Sequence, residues 1–134
     1  MSGLALMEIQ RALYTKLGGD GVLMGMVSGV YDDVPQNSAL PYVVIGDGNQ
    51  NVRPSDAAVV TECQLELHVW TQAGGRKTAL TILNRLHALL HLGTLTLSGY
   101  QLVTLRVAQA STHLAVQQER LTGTLTVFVA VVEA

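Results

Sequence analysis

The hydrophobic positions of this chain change period as one reads along it. Leu6, Ile9, Leu13 and Leu17 recur at helical spacing, with Glu8, Arg11 and Lys16 elsewhere on the wheel, which predicts a first helix over Leu4–Leu17. Gly18-Gly19 ends it, and Asp20 is placed to cap a short helical turn running through Met26. Met24 and Met26 read as packing residues. A stretch with two prolines, VYDDVPQNSALPYVVIG, follows over Val30–Gly46. Pro41 is suited to the entrance of a strand, where no ladder donor is required, and Tyr42–Ile45 behind it reads as that strand. Asp47–Ala58 is polar, holds Gly and Pro and shows no period, which predicts a long flexible loop.

Period two then takes over. Val59, Thr61, Cys63, Leu65, Leu67 and Val69 alternate with Glu62, Gln64, Glu66, His68 and Trp70, the pattern of a long antiparallel strand buried on one face. Its length and its four larger aliphatics predict a central strand. Gly74-Gly75 breaks it, and Ala79, Ile82, Leu83, Leu86, Leu89 and Leu90 form the apolar stripe of a second helix over Arg76–Leu92, stopped by Gly93. Thr94–Leu97 and Gln101–Ala110 read as strands around a turn at Ser98-Gly99. Glu119–Val132 is a last strand whose alternation breaks at its end, where Phe128, Ala130 and Val132 make the second face apolar. A strand apolar on both sides is covered on both sides, by a helix or by another subunit. These elements predict an α+β fold: a mostly antiparallel β-sheet of about four or five strands with two main helices packed on one face.

Composition narrows what such a domain does. The chain has 134 residues, which fits one domain spanning 1–134. Only 13% of residues are charged and the formal net charge is −2, so there is no basic footprint for nucleic acid. A surface this poor in charge suggests partial cover by other chains. No signal peptide is read at the N-terminus, where Glu8, Gln10 and Arg11 interrupt the apolar positions, and the apolar run Val127–Val132 is too short to span a bilayer, so no membrane partner is expected. The single cysteine, Cys63, rules out an internal disulfide, suits a reducing compartment and falls on the buried face as an inert thiol.

Candidate chemistry is thin. His87 and His91 share a helix face at metal-ligand spacing, but without the glutamate of a zinc-protease helix or a third ligand they read as boundary histidines. Glu62, Glu66 and His68 lie along one strand face with no nucleophile beside them. Gly74-Gly75-Arg76-Lys77-Thr78 echoes a phosphate loop but carries Arg76 where the motif cannot take it. No catalytic residue, cofactor or metal is predicted. Trp70 is either a boundary residue or an interface anchor.

Three blocks in this order support a resemblance: Val30-Tyr31 with Val34-Pro35; Pro41-Tyr42-Val43 through Gly46; and His68-Val69-Trp70-Thr71 followed by Gly75 and a Leu-rich helix. With the strands from Gln101 and Glu119, the chain resembles the tail-completion or tail-terminator proteins of long-tailed bacteriophages, prophages and gene-transfer particles. The resemblance implies a structural virion protein, not an enzyme. Its expected form is a homo-oligomeric ring, hexameric in the family, that caps the completed tail tube and stops its polymerisation. Its expected partners are the tail tube protein and the head-neck connector protein. DNA would pass through the lumen without sequence-specific binding. The expected location is the tail-neck junction of the virion, with assembly in the host cytoplasm. Trp70, Phe128, Ala130, Val132 and Arg53 are the expected subunit-interface residues. The competing readings are another neck protein, such as a head-completion or stopper subunit, and a small cytoplasmic metal-dependent enzyme.

Overall fold

The computed structural model describes residues 4–54, 59–72, 76–115 and 120–134. In chain order the elements are α1 (Ala5–Gly18), α2 (Gly21–Met24), β1 (Val30–Tyr31), β2 (Tyr42–Pro54), β3 (Val59–Gln72), α3 (Arg76–Leu90), β4 (Tyr100–Ala115) and β5 (Arg120–Glu133). The strands form one sheet in the order β1-β2-β3-β5-β4. Every neighbouring pair is antiparallel except β1 and β2. The fold is α+β, with β3 at the centre of the sheet.

The alternation in β3 sets the layers. Cys63, Leu65, Leu67 and Val69 are buried, and lie opposite Val129, Val127, Leu125 and Gly123 of β5. Onto this face pack Ala5, Ile9, Leu13 and Leu17 of α1 and Ile82, Leu83, Leu86 and Leu90 of α3, in one continuous core. Both main helices therefore lie on the same side of the sheet. Gly123 allows α3 to come close, because a Cβ there would stand 2.9 Å from Leu83 Cδ1. Cys63 is fully buried, and burial pushes its thiol up to about 11, which leaves it protonated and inert.

Side chains hold the helices to the loops. Asp20 accepts the Leu23 N–H as the cap of α2 and also takes a bidentate contact from Arg85 of α3, at 2.7 and 2.9 Å. Arg85 accordingly holds the Asp20 carboxyl below its ordinary value. On α1, Glu8 receives Arg11 at 2.6 Å and the Ser98 N–H at 2.6 Å. Arg11 reaches the Thr96 carbonyl and Lys16 the Thr94 carbonyl. These bonds explain one departure from the sequence reading. The 94–97 segment is not a strand, because its carbonyls face side chains of α1 and its Leu95 and Leu97 lean on the core.

Glu8 gives a pH prediction. Arg11, then the Ser98 N–H, hold its carboxyl down from 4.5 to about 2. A depressed carboxylate stabilises the fold above its unfolded-state value, and that contribution is lost as pH falls from about 4.5 towards 2. Urea midpoints measured from pH 6 to pH 2 should therefore fall less steeply in Glu8→Gln than in the parent. Parallel slopes would mean the clamp contributes nothing.

Three further departures concern boundaries. Residues 47–54 are strand, not loop: β2 continues to Pro54 and pairs with β3 from Gly48↔Leu65 to Pro54↔Val59, across a bulge after Ile45. The rest of the expected loop, 55–58, lies outside the described residues. Helix α3 stops at Leu90, before Gly93, and Leu92 turns the chain with φ 57. Val30-Tyr31 is itself a short strand, parallel to Val43-Val44. The Leu40–Pro41 bond that leads into β2 is cis.

Candidate assembly surfaces

The sheet has a second face that no described helix covers. Across it run rows of outward residues: Tyr42, Trp70, Thr122 and His113; Val44, His68, Thr124 and Ser111; Gln64, Phe128 and Arg106; Glu62, Ala130 and Thr104. Threonine, serine, glutamine, histidine and charged residues make up most of these rows. Such residues suit a wet β surface because each brings its own hydrogen-bonding group. His68 lies over Gly46, where a Cβ would come within 2.7 Å of its ring, and sits 3.2 Å from Thr124 Oγ1 and 3.5 Å from Glu66.

The five interface residues expected from sequence do not form one patch. Trp70 is half-buried at one end of this face, in the row of Tyr42, whose ring meets Tyr31 edge-on at 5.9 Å. Phe128 and Val132 are half-buried at the other end. Phe128 is covered from within the chain, by the Arg106 guanidinium 4.5 Å from its ring centre. Ala130 is 4% exposed between Glu62 and Thr104, so it offers a second chain almost no surface. Its small side chain is already enclosed by its strand neighbours. Arg53 is exposed on β2 and bonds Glu62 across the strand pair at 2.9 Å.

The residues weighed for chemistry are drawn into local structure. Glu62 serves Arg53, while Glu66 lies beside His68. The His87 and His91 rings stack at 4.7 Å, and His91 Nδ1 accepts the Val107 N–H, which commits that nitrogen. No group of three or more metal-ligating side chains occurs among the described residues. The glycines of the phosphate-loop echo lie outside the described residues.

The edges of the sheet are the part that sequence patterning missed. β1 covers β2 only at Val43 and Val44, which leaves the β2 edge open from Gly48 to Pro54 among the described residues. On the opposite edge, β4 is capped at its middle. Leu92 donates its N–H to the Leu105 carbonyl at 2.8 Å, and Val107 donates to His91 at 3.1 Å. The stretch from Gln109 to Leu114 carries no such cap among the described residues. Apolar side chains stand open along both edges, with Val52 55%, Val103 56% and Leu114 39% exposed. Helix α1 adds Met7 and Tyr14 on its outer side, with Leu4 just before it.

Comparison with known proteins points the same way. A family model for tail completion protein gp17 matches residues 11–133. Among solved structures, a chain of the virion of a native gene transfer agent particle matches with a TM-score of 0.85 at 27% identity, over 99% of this chain and 100% of that one. No curated protein matches.

Proposed function

This chain belongs to the tail completion protein gp17 family, and on that premise we propose that its copies close into a hexameric ring that ends the tail. The family and the match to a virion chain make it a structural tail protein of a phage-like particle, one that assembles with other virion proteins. In our reading the ring caps the finished tail tube, halts its polymerisation and joins it to the head-neck connector, and DNA passes through its lumen. The protein enters the virion at the tail-neck junction after assembly in the host cytoplasm. No catalytic step and no cofactor enter this role.

The observation that carries the reading is full-length coverage in both directions of the match to a particle chain. The surfaces fit it. A ring offers neighbours its edges and its two ends, and this chain has two open sheet edges and an apolar outer stripe on α1. The uncovered sheet face presents Glu62 and Glu66 together with Arg106 and Arg120, and Gln64 and a column of threonines between them. Acids and bases are mixed on it, so it carries no continuous basic stripe for a passing phosphate backbone.

Particles assembled without this chain test the proposal. Electron micrographs should show tubes of uncontrolled length and heads without tails. Tails of normal length joined to heads would refute it, and tails of normal length that fail to join would reassign the chain to another neck position.

A further inference from the structure

The ring reading leaves open how copies meet, and the two sheet edges supply an answer that rests on that reading. Backbone direction along each edge is set by its hydrogen bonds. Val43 donates its N–H to Gly29, away from β3. Ile45 lies opposite Leu67 and Gly48 opposite Leu65, so Gly48 repeats the phase of Ile45 across the bulge. Gly48, Gln50 and Val52 therefore point their backbone groups off the sheet. Pro54 follows in the same phase and has no N–H, which ends the row of donors. On β4, Val107 points outward to His91, and Ala110 repeats its phase because their partners Val127 and Leu125 are two apart. Ala110, Thr112 and Leu114 point off the sheet in turn.

We propose that the open β4 stretch of one copy pairs with the open β2 stretch of the next, with Thr112 opposite Gln50. The partner is a second copy of this chain for three reasons. The open stretches match in outward N–H donors, three on each, because β1 closes the start of β2 at Val43 and Val44 while His91 and Leu92 close the middle of β4. Their directions match: β2 and β4 run oppositely in the sheet order, so a head-to-tail neighbour brings them together antiparallel. Their surfaces match, since Val52 and Leu114 are exposed and these edges lack the lysines that usually guard a free strand.

The geometry of closure supports the register. Within one copy Gln50 lies level with Cys63, Val129 and Leu105, whereas Thr112 lies level with Gly123. From Val129 to Gly123 is six residues, so each copy steps along the strands by about 20 Å. The four long strands of a copy span about 19 Å across. A step equal to the span tilts the strands by about 45°, at the upper end of the range for closed barrels. Six copies would then close a barrel of about 24 strands, roughly 50 Å across at the backbone and wide enough for a DNA duplex. A helix-linked pair of parallel strands such as β3 and β4 crosses over right-handedly. With that hand and the right-handed coil of strands, the step closes with the helices outside and the Gln64, Glu66 and His68 face lining the lumen. Arg53 lies on the seam, while Trp70, Phe128 and Val132 face inward.

The test combines mass measurement in solution with cross-linking. Thr112→Pro removes a donor aimed at the neighbour and none aimed at β5, so the subunit should keep its circular dichroism and run as a monomer while the parent runs as a ring. Leu114→Lys, which touches no backbone donor, should do the same if the proline variant fails to fold. In a Gln50→Cys/Thr112→Cys variant a short thiol cross-linker should give a ladder of oligomers, and neither single cysteine should. Folded variants that still form rings, together with no ladder, would overturn the seam and leave the ring standing. A parent that stays monomeric at every concentration would overturn both.

Discussion

Leu67→Ala should lower the unfolding temperature of the subunit by about 10–20 °C and leave too little folded protein for assembly. Leu67 is fully buried at the centre of the sheet, between Ile45 of β2 and Leu125 of β5. Truncating such a leucine costs about 2–5 kcal/mol, the lost transfer energy plus the cavity left behind. That is a large share of the roughly 5–15 kcal/mol that holds a domain of this size. Leu80→Ala is the control. Its side chain is 52% exposed on α3, so the change should stay within about 0.5 kcal/mol. Thermal scans of the two variants side by side decide the matter. Equal losses would mean that the core is not where the buried face of β3 puts it.

The second large effect comes from adding an atom. An alanine Cβ at position 123 would sit 2.9 Å from Leu83 Cδ1 and 3.2 Å from its Cγ, and Leu83 is itself buried beneath α3. Replacing a strand glycine stiffens the unfolded chain and gains about 0.5–1 kcal/mol. Overpacking costs about 1–3 kcal/mol, because the leucine has no open space to enter. The clash wins, and Gly123→Ala should be less stable than the parent. The pair then couples: Gly123→Ala with Leu83→Ala should cost less than the sum of the single changes by about 0.5–3 kcal/mol in urea titrations. Strict additivity would mean that Gly123 and Leu83 do not press on one another.

These two residues also mark what could be read from the chain. The bounds of β3, Val59 and Gln72, were legible, and so was its buried face from Cys63 to Val69, because a sheet lying under helices forces strict alternation; Val59, which the pattern put on the same face, is 53% exposed. The helical stripes were legible for the same reason, as was the Asp20 cap. The far half of β2 was not. Leu6 of α1 touches this stretch at Gly48 and Gln50, but none of residues 46–54 is fully buried, and nothing imposes a pattern. The 94–97 segment misled in the opposite sense, since Leu95 and Leu97 have strand spacing while its carbonyls bond to Arg11 and Lys16.

The candidate site divides along the same line. The apolar break at Phe128 and Val132 was visible as a failed alternation, although Arg106 and the enclosure of Ala130 account for part of it inside the chain. The open edges were invisible. They exist because β1 is two residues long and because His91 and Leu92 close only the middle of β4. Which backbone groups remain free is a property of tertiary structure, and no residue type records it.

On the proposed function, this protein works as a closed assembly of identical copies. The most direct test of this is end-on electron microscopy of the purified parent protein, with the particle mass measured in the same sample. Annular particles of one size are expected, six subunits in mass, with a central hole wide enough for a DNA duplex. Compact single subunits, or open filaments of indefinite length, would contradict it.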